Sequence, residues 1–149
     1  MEVRFREIDP FNVWIWICFA NVPGQGERNY IDGIFDSWYV IGRLGGFNAE
    51  NLQAHEEGAD LSWMTYDNKG SQSVLPSLMH NIGQLEYQGE WARCWADLGT
   101  CDALAIDILI NSLRQIDKDI VEIEEVLIGG VNDDWHIEDH PDSVFPSGN

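Results

Sequence analysis

The chain has 149 residues, a hydrophobic fraction of 44% and a formal net charge of −18. This length favours one domain, and the apolar content excludes a wholly disordered chain. Nucleic-acid affinity comes largely from neutralised phosphates, so 26 acidic against 8 basic residues exclude nucleic acid as a partner and disfavour an anionic membrane. Such a charge attracts basic protein segments or metal cations, although maintaining solubility alone also accounts for it.

The cysteine pattern and the N-terminus indicate the expected compartment. Cys18, Cys94 and Cys101 are widely spaced and form neither a disulfide framework nor a Cys-x-x-Cys pair. The N-terminal residues lack a signal-peptide pattern, and the longest apolar run, 13–20, is too short to cross a bilayer. We therefore expect a soluble protein in a reducing compartment, most simply the cytoplasm.

The first third of the chain predicts a strand and a helix. Residues 11–20, FNVWIWICFA, have the β-branched and aromatic content of a strand. Residues 25–44 predict a helix that Gly45-Gly46 ends in a left-handed conformation. Its expected apolar face consists of Ile31, Ile34, Phe35, Trp38 and Ile41.

The middle of the chain is harder to interpret. Residues 48–57 alternate like a second strand, and residues 58–73 are polar with an edge-strand pattern at 61–66. Pro76 favours a short helix over 75–81.

The last third predicts a long strand over 84–96 bent at Gly89, a helix over 101–118 and a strand over 119–128. The apolar face of this helix is expected to hold Leu104, Ala105, Ile108, Leu109, Leu113 and Ile116. Residues 132–149 have the composition of an acidic, flexible tail, which leaves 1–131 as a single domain.

The order strand, helix, strand, strand, helix, strand is the βαββαβ arrangement of a ferredoxin-like α+β sandwich. It predicts an antiparallel sheet with both helices on one face. Strands 11–20 and 84–96 are expected to be central neighbours.

Alternation along these two strands predicts a tryptophan-rich sheet face. We assign the aliphatic and small side chains to the helix side: Val13, Ile15, Ile17, Phe19, Ala92, Cys94 and Ala96. The opposite face then carries the expected partner-binding residues Trp14, Trp16, Trp91, Arg93 and Trp95, flanked by Glu122 and Glu124. Four indoles in water exceed what a monomer usually exposes. The expected cover is the tail, segment 58–73, a second copy in a homodimer or another protein.

The segment Asp97-Leu98-Gly99-Thr100 resembles the phosphate loop of actin-like ATPases. The companion loops of that fold are missing, and a helix follows here. We therefore interpret Thr100 as a helix N-cap and Gly99 as a turn residue. Gly45-Gly46 is a helix end rather than a phosphate loop.

The metal and thiol candidates are weak. His136 and His140 are four residues apart among acidic residues, but no second histidine pair accompanies them, so we expect no metal and no other cofactor. Cys101 at a helix start has some reason for a lowered pKa, which Asp102 beside it opposes. We expect Cys94 and Cys101 to be packing residues and expect no catalytic residue.

Five motifs together resemble a domain-of-unknown-function family of cyanobacteria and plastids. They are DPFNxWIW at 9–16, SWYxxGxLGGFN at 37–48, WxDxGT at 95–100, DxLINxL at 107–113 and IGG at 128–130. The resemblance spans roughly residues 5–135 and implies a soluble protein of a phototroph, without a catalytic residue. The chain also resembles a class of accessory factors in β-carboxysome assembly. That resemblance implies binding to the C-terminal extension of a carboxysome shell protein.

Two classes of function follow. The first is a non-enzymatic interaction or assembly protein whose acidic, aromatic surface binds another protein or peptide in the cytoplasm or at the carboxysome. The alternative is a metal-dependent enzyme using His136 and His140, or a ferredoxin-like sensor that binds a small ligand between subunits.

Overall fold

A computed structural model describes residues 1–47 and 78–131 of the chain. These residues form a mixed α+β structure with a six-stranded sheet and two helices. The elements in chain order are β1 (Glu2–Phe5), β2 (Val13–Phe19), α1 (Gln25–Arg43), β3 (Asn81–Ile82), β4 (Glu86–Gln88), β5 (Trp91–Asp97), α2 (Leu104–Ile116) and β6 (Ile123–Ile128).

The strand order is β1-β6-β2-β5-β3, with β4 also paired to β5. The predicted central neighbours are confirmed, since β2 and β5 pair antiparallel over six residues from Val13↔Ala96 to Cys18↔Trp91. The sheet is not wholly antiparallel as predicted, because β1 runs parallel to β6. β1 was not among the strands predicted from the sequence.

One hydrophobic core joins both helices to the sheet. The predicted inward sets of β2 and β5 are confirmed, since each of these side chains is buried. Small side chains at Ala92 and Ala96 leave room for α1 and α2 to pack closely on the sheet. The Trp38 indole N–H spans the two helices and donates to the Ala105 carbonyl at 2.8 Å.

Helix α1 begins and ends close to the predicted positions. Its first turn is capped by Glu27, whose carboxylate accepts the Gly24 N–H at 2.8 Å. Gly45 follows the last turn with φ of 80°, as expected for a glycine at a helix end. The predicted apolar face needs one correction, because Ile41 is 45% exposed and lies with Ile34 along a groove between the helices.

Helix α2 begins at Leu104 rather than at Cys101, and Thr100 is not its N-cap. The Thr100 hydroxyl instead accepts the Leu78 N–H at 3.2 Å. Leu98 is buried, and its N–H donates to the Pro10 carbonyl. These contacts hold the junction as a loop, so the helix begins later in the chain. The predicted apolar face of α2 also shifts, because Ile106 and Ile110 are buried while Leu104 and Ile108 are only partly so.

The predicted long strand over 84–96 is wrong in one respect. Gly89 adopts φ of 60° and, with Glu90, turns the chain back, so β4 and β5 form a hairpin. The predicted helix over 75–81 is contradicted in its described part, since 78–80 are irregular and Asn81 begins β3. The last strand begins at Ile123 instead of residue 119. The strand pattern at 48–57, the polar segment 58–73 and the tail 132–149 lie outside the described residues.

Candidate partner-binding site

The face of the sheet opposite the helices carries the predicted tryptophans, and we call it the tryptophan face. Register places Trp14 opposite Trp95, Trp16 opposite Arg93 and Cys18 opposite Trp91 on neighbouring strands. Residues directly opposite each other in a sheet share a face. The structure therefore brings together all five predicted aromatic and guanidinium side chains of this face.

Trp16 is the centre of the tryptophan face and is only 3% exposed. The Trp91 indole meets it edge-on, with ring centroids 6.5 Å apart. The Arg93 guanidinium lies over the rings of both Trp14 and Trp16, at 5.2 and 5.8 Å from their centroids. Trp14, Trp91 and Trp95 surround this centre and each keep part of their surface exposed.

Two further contacts fix the orientation of the site. Trp95 donates its indole N–H to the Asn12 side-chain oxygen at 2.7 Å. Arg93 forms an ion pair with Glu86 of β4, which lies directly opposite it in the hairpin. Arg93 is thus held between a carboxylate on one side and two indoles on the other, so its position is defined before any partner arrives.

The tryptophan face extends onto β6 and β1. Leu127 lies opposite Trp16, and Glu125 lies opposite Cys18 and forms an ion pair with Arg4 of β1. No pattern in the sequence marked these residues, or Glu86, as part of the site. Predicting a hairpin at Gly89 would have placed Glu86 opposite Arg93 and so in the site. Arg4 could be assigned to the site only once the pairing of β1 with β6 was known.

The two predicted flanking carboxylates lie at the start of β6. Glu124 is exposed, and its carboxylate lies 3.9 Å from the Cys18 sulfur. Glu122 is also exposed and precedes the strand by one residue, where its carbonyl accepts the Ala20 N–H. An irregularity in the β2–β6 register between Cys18 and Phe19 brings Glu124 and Glu125 together beside the thiol.

The three thiols are poor nucleophiles. Burial, followed by the charges of Glu124, Glu125 and Glu90, raises the pKa of Cys18 to about 12. Burial also raises the pKa of Cys94 to about 12, and burial with the neighbouring Asp102 raises that of Cys101. Each thiol therefore stays protonated near neutral pH.

The remaining candidates for chemistry do not assemble. His80 lies in a surface loop, and its Nδ1 atom is 3.4 Å from the Asp97 carboxylate. The same carboxylate accepts the Gly99 N–H. Residues 1–47 and 78–131 contain no group of three or more His, Cys, Asp or Glu side chains placed to hold a metal ion. His136 and His140 lie outside this part of the chain. No helix in the described ranges is both long and apolar enough to span a membrane.

The fold and this face define a class of protein: a mixed α+β domain with helices on one side of its sheet and a tryptophan-rich surface on the other. The chain belongs to the family described as "Protein of unknown function (DUF3531)", whose model matches residues 1–143. No curated protein and no solved structure matches the chain.

Proposed function

We propose that the protein is a non-enzymatic interaction or assembly factor that binds a basic, extended segment of another protein on the tryptophan face. The observation that carries the proposal is the arrangement of Trp14, Trp91 and Trp95 around the buried Trp16. Partly exposed indoles around a preorganised centre offer a large contact area at a low entropic cost. Tryptophan is also among the residues most enriched at binding hot spots.

The charges of the tryptophan face select a basic partner. Both of its arginines are already compensated, Arg93 by Glu86 and Arg4 by Glu125. Glu90, Glu122 and Glu124 are exposed, and no ion pair within the described residues involves them. Lysine or arginine side chains of a partner segment would neutralise these carboxylates and set its register over the indoles.

The chemistry of the chain supports a binding role over a covalent one. All three cysteines have raised pKa values, so none supplies a thiolate at neutral pH. The tryptophan face carries hydrogen-bonding, aromatic and charged groups that recognise a ligand without transforming it.

The finer parts of the proposal rest on resemblance. The order β6-β2-β5-β3, with two helices on one side, supports the ferredoxin-like interpretation of the central strands. The sequence resemblance supports a cyanobacterial protein of the cytoplasm that associates with the carboxysome. Its partner is then the C-terminal extension of a shell protein.

The test compares a double variant, Trp14→Ala with Trp95→Ala, with the single variant Tyr30→Ala. Trp14 and Trp95 lie opposite each other on the tryptophan face and are partly exposed. Tyr30 lies on α1, on the opposite side of the sheet, and is 47% exposed. It is therefore a matched aromatic truncation away from the site.

Binding is measured by titration with a synthetic peptide of the shell-protein extension and by capture of partners from a cyanobacterial lysate. Loss of two indoles of the tryptophan face is expected to weaken binding by at least about 30-fold, or about 2 kcal/mol, while Tyr30→Ala binds normally. A folded double variant that binds at full strength would contradict the proposal.

A second variant keeps the test informative if the tryptophan variant does not fold. Glu90 and Glu124 are exposed, so their replacement by lysine leaves the core unchanged. The double variant Glu90→Lys with Glu124→Lys is expected to bind about tenfold more weakly, with most of the loss disappearing at high salt. Unchanged affinity at low salt would show that the carboxylates do not contribute to recognition.

A further inference from the structure

The outer edge of β1 is open in the described part of the chain. Among those residues β1 is the end strand of the sheet and pairs only with β6. The Arg6 N–H donates to the Ile128 carbonyl, so by alternation the backbone groups of Arg4 also face β6. The N–H and C=O groups of Val3 and Phe5 point the other way. Backbone groups at such an edge form a template on which another strand can add.

A groove runs beside this edge on the helix side. It has a volume of about 530 Å³ and is lined by Val3, Phe5, Asp107, Ile110, Asn111 and Arg114. Phe5 is 55% exposed, although Val3 packs on the core and Ile110 is buried. A strand added to β1 would therefore cover a phenylalanine ring that the described residues leave half in water.

The charges on the other side of β1 are balanced. By alternation Glu2, Arg4 and Arg6 share this side, and Arg4 lies opposite Leu127 of the tryptophan face. Arg4 forms an ion pair with Glu125. Within residues 1–47 and 78–131, no ion pair involves Glu2 or Arg6. The edge thus presents a free carboxylate at its start and a free guanidinium at its end.

The groove has an acid and a base of its own, in the opposite order. Asp117, directly after α2, pairs with the Met1 ammonium at 3.2 Å, so the end of α2 lies at the start of β1. Arg114 therefore lies toward the start of β1, and Asp107, about 10 Å earlier on the helix, lies toward its end. No ion pair of the described residues involves either side chain. Glu7 lies beyond Arg6, outside the strand edge itself.

We propose that two copies of the chain form a homodimer by antiparallel pairing of their β1 strands, with a two-fold axis at Arg4. Residues 2–6 of one copy then lie opposite residues 6–2 of the other. Val3 of each copy lies opposite Phe5 of the other, and these two residues exchange the backbone hydrogen bonds that the open edge leaves available. A two-fold interface requires a surface that complements itself.

The charges of the edge meet that requirement. Glu2 of each copy lies opposite Arg6 of the other, at the distance where cross-strand pairs interact. Arg4 meets its own counterpart at the axis, where Glu125 of each subunit compensates the charge. A wholly basic or wholly acidic segment would match only one end of this edge, so a second copy fits it better.

The groove also complements itself in this arrangement. The axis is perpendicular to the sheet, so the helices of both copies lie on the same side and their grooves join. Phe5 and Val3 of both copies then cover one another between the two α2 helices. Asp107 of each copy lies at the same end of the joined groove as Arg114 of the other. The tryptophan faces remain uncovered, so the dimer does not depend on the function proposed for them.

Sedimentation velocity of the full-length protein over about a hundredfold range of concentration tests the proposal. At about 0.15 M salt the general repulsion between two chains is screened beyond about 8 Å, whereas the direct pairs keep most of their attraction. The wild type is expected to change from monomer to dimer across this range. Phe5→Asp is expected to raise the dissociation constant of the dimer at least about 30-fold.

Phe11→Asp is the matched control for the Phe5 variant. Phe11 is 56% exposed, which is nearly the same as Phe5. It follows Pro10, whose carbonyl accepts the Leu98 N–H after β5, on the far side of β2 from β1. The dissociation constant of this variant is expected to equal that of the wild type.

A charge exchange tests the register and does not depend on the Phe5 variant. Glu2 is exposed, so Glu2→Arg leaves the core unchanged. It sets two guanidinium groups opposite each other at both ends of the interface and is expected to raise the dissociation constant about tenfold. Adding Arg6→Glu to Glu2→Arg restores opposite charges, and this double variant is expected to dimerise within about threefold of the wild type.

Three results would overturn the proposal. The first is a wild type that stays monomeric at every concentration. The second is a dimer that both Phe5→Asp and Glu2→Arg leave unchanged, which would place the interface elsewhere on the surface. The third is slow amide exchange of Val3 and Phe5 at a concentration where the protein is monomeric, which would show that another part of the same chain occupies the edge.

Discussion

The replacement Gly99→Ala tests whether the Asp97-Leu98-Gly99-Thr100 segment is a structural junction. Gly99 adopts φ of 60°, where an alanine costs roughly 1–2 kcal/mol. A Cβ at this position would also lie 2.3 Å from the Leu78 carbonyl oxygen and 2.6 Å from the His80 ring. Relieving that overlap moves backbone, at about 1–3 kcal/mol. We therefore expect Gly99→Ala to lower the free energy of unfolding by about 2–5 kcal/mol.

Gly33 provides the matched control for this substitution. It lies inside α1 with ordinary helical geometry, and nothing lies within 4 Å of an added Cβ. Gly33→Ala is expected to raise the free energy of unfolding by about 0.5–1 kcal/mol. Urea denaturation followed by tryptophan fluorescence measures both variants. A Gly99→Ala protein within about 0.5 kcal/mol of the wild type would refute the reasoning from φ and contact.

Two further predictions concern titrating groups. A pKa of about 12 instead of 9.0 lowers the thiolate fraction of Cys18 about 1000-fold at pH 8, and the higher nucleophilicity of that thiolate offsets part of this. Peptide mapping should show that iodoacetamide alkylates Cys18 about 50-fold more slowly in the folded protein than in the unfolded chain. The variant Glu124→Gln is expected to restore part of this alkylation rate. Equal alkylation rates in the folded and unfolded chains would contradict the assigned environment of Cys18. Burial alone would raise the pKa of Asp117, but the Ile123 N–H and the N-terminal ammonium outweigh it and lower the pKa below 3.8. Because the pKa of Asp117 is lower in the folded than in the unfolded chain, its ionised carboxylate stabilises the fold. This stabilisation is fully present above the unfolded pKa and is lost as the pH falls through the folded pKa. Asp117→Asn should lower the free energy of unfolding by about 1 kcal/mol at pH 7, and in urea titrations the difference from wild type should shrink below pH about 4. A difference that does not depend on pH would exclude the ionised carboxylate as its source.

The face assignments were predictable because they depend on local periodicity alone. Val13, Ile15 and Ile17 alternate with Trp14 and Trp16, and a strand has only two faces. The two sets also differ in size and shape, so it was clear which set packs against helices. The tryptophan face followed from this alternation before any pairing was known.

The features that the sequence did not reveal depend on contacts between distant residues. β1 is a short strand whose partner lies more than a hundred residues away, so no local pattern marks it. Thr100 has the residue type of an N-cap, but its hydroxyl accepts the Leu78 N–H instead. The hairpin at Gly89 is a third case. The residues on both sides of Gly89 have the pattern of a strand, and only the positive φ of Gly89 shows that the chain reverses there instead of continuing as one bent strand.

The parallel pairing of β1 with β6 has a consequence for how the chain folds as it is synthesised. Glu2 to Phe5 leave the ribosome well before their partners, Glu125 to Ile128. β2 likewise waits for β5 and β6 on its two sides. Because long-range pairings must pay the entropy of closing long loops first, the sheet forms late and slowly. Until most of the chain has emerged, β2 and its tryptophans lack their neighbours and leave apolar surface in contact with water.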